Sequence, residues 1–238
     1  MIEKVYIYIL SMLIDFIDKK KKMQINNFFL KKIKNKKISL IDIGAHKGET
    51  IKQFSDNFSI KKIYAIEPNP EIFKELKKKF ISEKISFFNY AIGEKDSYKY
   101  LNILNDSSSS TIVNLNYKSK YFQRKKRLLT LFSNKLIKKK KRVLVYSLNN
   151  FLKKNKINFV DILKIDTEGY EFTILKSILK KNFKKIKYIY FEHHYDLMLK
   201  KNYKFNNINK LLKKNNFKMA YKNKMNCRKT FEYIYEKI

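Results

Sequence analysis

The segment Ser39–Thr50, reading Ser-Leu-Ile-Asp-Ile-Gly-Ala-His-Lys-Gly-Glu-Thr, restricts the fold more than any other part of the chain. A short apolar run ends at Asp42 and Ile43, Gly44 and Gly48 follow, and a helical pattern then opens. Strand, glycine turn and helix make the start of a βα unit whose loop faces a ligand. Glycines let the backbone pass close to a bound molecule, and a helix start presents N–H groups that have no partner inside the helix. A dinucleotide site needs G-x-G-x-x-G against a pyrophosphate, whereas the spacing here is Gly44-x-x-x-Gly48. Asp42, two residues before the first glycine, would repel a pyrophosphate and suits a cationic ammonium.

A second apolar run, Ile63–Ile66, ends in Glu67 and is stopped by Pro68-Asn69-Pro70. The step from Gly48 to Glu67 is about the ~20 residues at which such folds place an acid on a ribose diol. An ammonium at Asp42, a ribose at Glu67 and no phosphate describe S-adenosylmethionine (SAM) better than a dinucleotide. A third run, Val160–Ile165, leads into Asp166-Thr167-Glu168, and a fourth, Ile186–Phe191, into Glu192-His193-His194. Acids at several strand ends are hard to explain as packing, because clustered like charges need a cation or hydrogen-bond donors beside them. Asn89, Tyr90 and Ala91 follow the run Ile85–Phe88 and are candidates to border an adenine, or else a plain polar strand end before Gly93.

Between these runs lie helical patterns at Glu71–Phe80, Leu148–Lys154, Phe172–Leu179 and Asn206–Lys214. Tyr98–Leu104 reads as an extra strand, Asp106–Thr111 as a hydroxyl-rich loop, and Phe217–Tyr221 with Phe231–Tyr235 as a closing antiparallel pair. The expectation is one α/β domain over residues 39–238, built on a mostly parallel, doubly wound sheet. Residues 1–38 form a helical extension: Val5–Ile17 is too short an apolar run for the ~20 residues of a membrane span. Lys19–Lys22 follow that run rather than precede it, unlike a secretion signal. A helix packed on the domain is expected there, with contact to an anionic membrane surface as the weaker reading, and a second amphipathic helix at Ile25–Ile33.

The formal charge of +34 would ordinarily suggest nucleic acid or an anionic membrane. The basic residues are nearly all lysine, with arginine only at Arg124, Arg127, Arg142 and Arg228, and base readers favour arginine. The charge therefore reads as a solvated lysine surface, and nucleic acid is not the expected partner. The densest run, Lys118–Arg142, reads as a solvated, mobile insertion (about 117–142) carrying an amphipathic helix, with a basic lid as the competing reading. A single cysteine, Cys227, excludes an internal disulfide and suits a reducing, cytoplasmic location, with association at the inner face of a membrane as an option.

From about Leu40 onward the chain resembles the FkbM family of SAM-dependent methyltransferases. The resemblance rests on an ordered set: Asp42-Ile-Gly44-Ala45-His46-Lys-Gly48, Glu67-Pro68-Asn-Pro70, Asn89-Tyr90-Ala91-Ile-Gly93, Ser107–Ser110, Leu163-Lys-Ile-Asp-Thr-Glu-Gly-Tyr-Glu171, and Glu192-His193. It implies a Rossmann-like class I fold with a seven-stranded, mostly parallel sheet. It also implies methylation of a hydroxyl on a sugar, glycan or other small molecule; Asp42, Gly44, Ala45, His46, Gly48, Glu67, Pro68, Asn89, Tyr90 and Ala91 are the candidates to hold SAM. Asp166 is the first candidate for the catalytic carboxylate, which also borders the cofactor; Glu168, Glu192 and His193 are the other crevice candidates. Adjacent acids more often cap helices or bind a cosubstrate than hold a metal, so no metal is assigned. Two features depart from the family: Leu148-Asn149-Asn150 replaces Leu-Asp-Asp, and the basic insertion is long. The competing class is a lysine-rich RNA-binding or RNA-methylating protein on the same fold, or a methyltransferase acting on lipid or glycolipid at a membrane surface.

Overall fold

The computed structural model describes residues 2–33, 36–130, 136–226 and 229–238. Cys227, Arg228, Leu131 and Phe132 lie outside them. Strand β1 (Ile38–Ile43), helix α2 (Glu49–Asn57), β2 (Ile60–Ile66), α3 (Pro70–Lys79) and β3 (Ile85–Phe88) form the first βαβαβ half. Pro70 opens α3 with its φ already helical, and the Asn69 side chain accepts the Glu71 N–H at 3.1 Å. The second half runs through α5 (Leu148–Lys154), β7 (Val160–Ile165), α6 (Glu171–Ser177), α7 (Lys180–Phe183) and β8 (Ile186–His194). Helix α8 (Phe205–Lys214) then leads into the hairpin of β9 (Phe217–Lys224) and β10 (Thr230–Lys237).

The strands form a seven-stranded sheet in the order β3-β2-β1-β7-β8-β10-β9. It is parallel throughout except where β10 pairs with β8 and β9. The order reverses between β1 and β7, which opens a crevice at their carboxyl ends. A smaller sheet, β4-β6-β5, joins β4 (Ala91–Gly93), β6 (Ile137–Ser147) and β5 (Ser97–Leu104).

Strand periodicity of two divides the core into two layers. Ile41, Leu163, Ile165, Ile189 and Phe191 face α5, α6 and α8. Leu40, Ile162, Tyr188, Tyr190 and Ile234 face the other side, where α2, α3 and α1 (Ile2–Lys32) cover them. The two helices expected before residue 34 are one helix. Nothing between Ile2 and Lys32 is Gly or Pro, and lysines continue a helix readily. Its second half is core: Ile25 and Phe29 are fully buried, and Phe29 meets Phe54, Tyr188 and Tyr190 edge-on or tilted. Asn223 and Asn226 strap its middle to the β9–β10 hairpin by donating to the carbonyls of Lys21 and Ile17, and Asp18 accepts the Asn226 N–H.

The basic stretch differs from expectation. Helix α4 (Lys120–Leu129) buries Phe122 and Leu129 against Leu104, Leu115, Met198 and Leu199, so it is a packed wall and not a solvated insertion. Strand β6 begins at Ile137, inside the basic run, and Lys139–Arg142 pair with Tyr100–Ile103 of β5. The lysine run looked solvated because its side chains are; its backbone is in a ladder, and Arg142 lies 4.2 Å from the Tyr98 ring centroid.

Candidate active site

A cavity of about 1090 Å³ opens over the carboxyl ends of β1, β2, β7 and β8, on the α1 side of the sheet. Its floor follows from register. Asp42 lies beside Lys164, and Lys164 beside Tyr190, so the three form one row; Glu192 faces Glu232 across β8 and β10 one pleat further on.

The β1–α2 turn brings the backbone very close to β7. Gly44 has φ +87, and a Cβ there would sit 1.9 Å from the Asp166 carbonyl oxygen. The N–H groups of Gly44 and Ala45 both donate to the Ile66 carbonyl. Gly48 also has positive φ, but a Cβ there would meet Phe80 and Leu76. Gly48 therefore serves the packing of α3 and does not line the cavity. Gly44, Ala45 and His46 do line it, with Pro68 and Ala91.

Asp42 is fully buried, and neither carboxylate oxygen has a hydrogen-bond partner. Lys164 is its ion-pair neighbour at 3.7 Å, beyond hydrogen-bond reach, and lies 3.1 Å from Asp166 Oδ2. Burial pushes Asp42 up to about 6, with Lys164 opposing. Burial also works to lower the Lys164 pKa, but Asp166 and Asp42 outweigh it and hold the ammonium above its usual range. Glu67 accepts the Asn69 N–H at 2.7 Å and the His46 N–H at 2.9 Å, one on each oxygen. Burial raises it to about 7 against those two bonds. The residues fit SAM: each Glu67 oxygen, at the cavity wall, keeps a lone pair for a ribose hydroxyl, and Asp42, fully buried outside the lining, has two oxygens lacking donors.

On the other side of Lys164 lies a second charged group. His194 Nε2 is 3.3 Å from Glu168 and 4.0 Å from Glu192, and its Nδ1 is 3.5 Å from Asp196. Burial works to lower the His194 pKa, but Glu168 and its other acidic neighbours prevail and raise it to about 10. Glu168 is raised, by burial first and against His194. It also has φ +51, a left-handed backbone rare outside glycine and concentrated at functional sites. Glu171 holds the Glu168 loop by accepting from the Thr167 and Gly169 N–H groups, and Thr111 donates to the Glu168 carbonyl. Glu232 is raised to about 7 by burial and then by Glu192, and accepts from the Tyr190 hydroxyl at 2.7 Å.

Among the residues singled out in the sequence, Glu67, Asp166, Glu168 and Glu192 converge on the cavity, and Asp42 is buried outside the lining, beside Lys164. Gly48, His193, Tyr90 and Asn89 do not line the cavity. His193 projects to the opposite face of β8, with its ring against Tyr195, Tyr203 and Phe205, and burial lowers its pKa to about 3. The crevice histidine is His194, because residues two apart along a strand share a face. Tyr90 is packed on Phe88, Tyr146 and Phe151, and the Asn89 side chain donates to the Glu67 carbonyl. Lys164, Tyr190, His194 and Glu232 were not singled out, although counting two residues from Asp166 and Glu192 finds the first three. Asn149 accepts from the Leu179 N–H and the Asn182 amide, and Asn150 donates to Asp96, so the Asn-Asn pair ties α5 to its neighbours.

The reversed strand order, the carboxylates at three adjacent strand ends and the antiparallel closing pair define a Rossmann-like class I methyltransferase. Residues 42–219 match the methyltransferase FkbM domain, and the chain belongs to that family of SAM-dependent methyltransferases. No curated protein matches. Among solved structures, a Pyrococcus horikoshii protein assigned as an RNA methyltransferase is 11% identical, with 92% of this chain and 83% of that one covered at TM-score 0.50. A Streptococcus agalactiae protein of the NADB-Rossmann superfamily is 12% identical, covering 92% and 68% at TM-score 0.50. The magnesium protoporphyrin IX methyltransferase of Synechocystis, with bound SAM, is 8% identical, covering 94% and 81% at TM-score 0.49. At these identities the likeness is one of fold. Among the described residues, no helix is long and apolar enough to cross a membrane.

Proposed function

We propose that the chain methylates a hydroxyl of a sugar, glycan or other small polyhydroxylated molecule. The observation that carries this reading is the set of buried acceptors on the far side of Lys164. Glu192 Oε1 and Glu232 Oε2 are buried without a hydrogen-bond donor. Hydroxyl groups supply donors, whereas a phosphate-bearing acceptor would bring more negative charge onto this acidic floor.

SAM supplies an electrophilic methyl on its sulfonium, so the protein's task is to align an alcohol oxygen and take its proton. Asp42 and Glu67 are assigned to the cofactor's ammonium and ribose. Asp166, which reaches the cavity with its carboxylate beside Lys164, is the proton acceptor. Lys164 donates to Asp166 Oδ2 at 3.1 Å and so fixes the direction of that carboxylate. Glu168 and Glu192 orient the acceptor, and His194, held as a cation by its acidic neighbours, lies between them. His193 has no part in this assignment.

The test is methyl uptake from labelled SAM into separated glycan, lipid and RNA fractions. Asp166→Asn keeps the shape and one acceptor oxygen, and turnover should fall by about 10²–10⁴ with SAM affinity little changed. Near-normal turnover with lost SAM binding would move Asp166 into the cofactor site. The +34 charge favours a second reading, an RNA acceptor. RNA retention that survives moderate salt, with uptake into the RNA fraction, would select it.

A further inference from the structure

The first half of α1 is apolar on two sides. Ile7 and Leu10 pack into the cluster around Leu104, Phe122, Met198 and Leu199. Val5, Ile9, Leu13 and Phe16 point elsewhere: each is more than half exposed, Phe16 by 76%, and none joins a core cluster or lines the cavity. At about 100° per residue these four occupy an arc of roughly 80°, one continuous stripe along the helix. The exposed Lys20 continues the same face one turn on.

We propose that this stripe is a docking surface for an anionic lipid bilayer, on which α1 lies in the interface plane without crossing. A contiguous exposed apolar face marks a partner rather than ordinary surface. Charge selects which partner. A second copy would bring another +34 to the contact and be repelled, whereas an anionic headgroup layer is attracted. A nucleic acid would satisfy the charge but offers no apolar phase for Phe16, Leu13, Ile9 and Val5. An apolar strip followed by lysines is the pattern of helices seated at the headgroup–acyl boundary. Tyr8, Met12, Ile14 and Asp18 of this helix also wall the cavity. Docking therefore holds the cavity within one helix diameter, about 10 Å, of the headgroups. The docking stands whatever the methyl acceptor is.

The full chain would be floated with vesicles of phosphatidylcholine alone and of phosphatidylcholine with phosphatidylglycerol. Binding to the anionic vesicles is expected, and the triple variant Ile9→Gln, Leu13→Gln, Phe16→Gln should lose it by at least about tenfold. The three residues are exposed and do not line the cavity, so SAM affinity, measured in parallel, should be unchanged and report that the variant is folded. Because the chain has no tryptophan, Phe16→Trp places its one indole on the stripe, to be excited selectively beyond the tyrosine band. Its emission should shift to the blue on adding anionic vesicles. Parental binding retained by the triple variant, or an unmoved emission from the introduced indole, would reduce the contact to lysine charge alone and overturn the proposal. A parental dimer that the triple variant dissociates would overturn it too, by assigning the stripe to a second copy.

Discussion

His193 and His194 are adjacent in sequence, yet the pleat of β8 sends them into opposite environments. His193 Nδ1 is buried without a hydrogen-bond partner, in an aromatic pocket that keeps the ring neutral. Replacing it by Phe removes an unsatisfied polar atom, so stability should hold or rise by about 1 kcal/mol with turnover kept. Thermal unfolding and methyl transfer check this together. His194→Gln removes the cation between Glu168, Glu192 and Asp196, and should cost about 3–5 kcal/mol, the scale of breaking a buried pair. The sign of its pH effect follows from a folded pKa of about 10 against an ordinary value of 6.5. The stabilisation is full below about 6.5 and is lost as pH rises through about 10, so the alkaline fall in Tm should be shallower in His194→Gln. For the cofactor the sign is opposite. Asp42 at about 6 and Glu67 at about 7 must ionise to receive an ammonium and ribose hydroxyls, so SAM affinity should increase through that interval. Calorimetry showing affinity flat or falling with pH would remove one of these acids from the cofactor site.

At the scale of elements, the turn after β1 is the least replaceable part. Gly44→Ala demands a left-handed alanine whose Cβ overlaps the Asp166 carbonyl. The two strand ends would have to part, and a loss above about 3 kcal/mol is expected from urea unfolding. Helix α4 acts on the opposite wall. Lys125 pairs with Asp106 at 2.9 Å and also meets Ser109, which links the basic stretch to the hydroxyl-rich loop. Lys125→Gln should raise the acceptor KM while leaving SAM affinity unchanged, and an unchanged KM would separate that loop from the acceptor.

At the scale of the molecule, the lysines of β6 stand apart from the cavity. Most of them are exposed and none lines it, whereas the buried Glu168, Glu192 and Asp196 around His194 do. Replacing Lys138–Lys141 by glutamine should leave SAM affinity intact and lower retention on heparin. Lost SAM binding in that variant would tie the lysine strand to the cofactor site. Helix α1 joins both regions, since its second half is core. Phe29→Ala should cost about 3–5 kcal/mol by chemical denaturation, the range for deleting a buried aromatic ring.

The sequence by itself determined the strand–turn–helix units and the acids that end β1, β2 and β7. Those features are local: an apolar run, a Gly or Pro that stops it, and the residue at the stop. It also carried enough ordered motif to indicate the family, which the match over residues 42–219 shows. Tertiary structure decided what depends on the neighbouring strand. Whether His193 or His194 meets the crevice is a question of pleat, and a one-residue shift exchanges the two faces. Lys164 became the partner of Asp42 only through the β1–β7 register, across more than a hundred residues of chain. The lysine run of β6 looked solvated because a strand's backbone pairing leaves its side chains free to reach water. Helix α1 looked like two pieces attached to a domain, and its role depends on contacts with β8 and with the β9–β10 hairpin, all more than 150 residues away. No local pattern encodes contacts at that separation, so only the folded chain could place them.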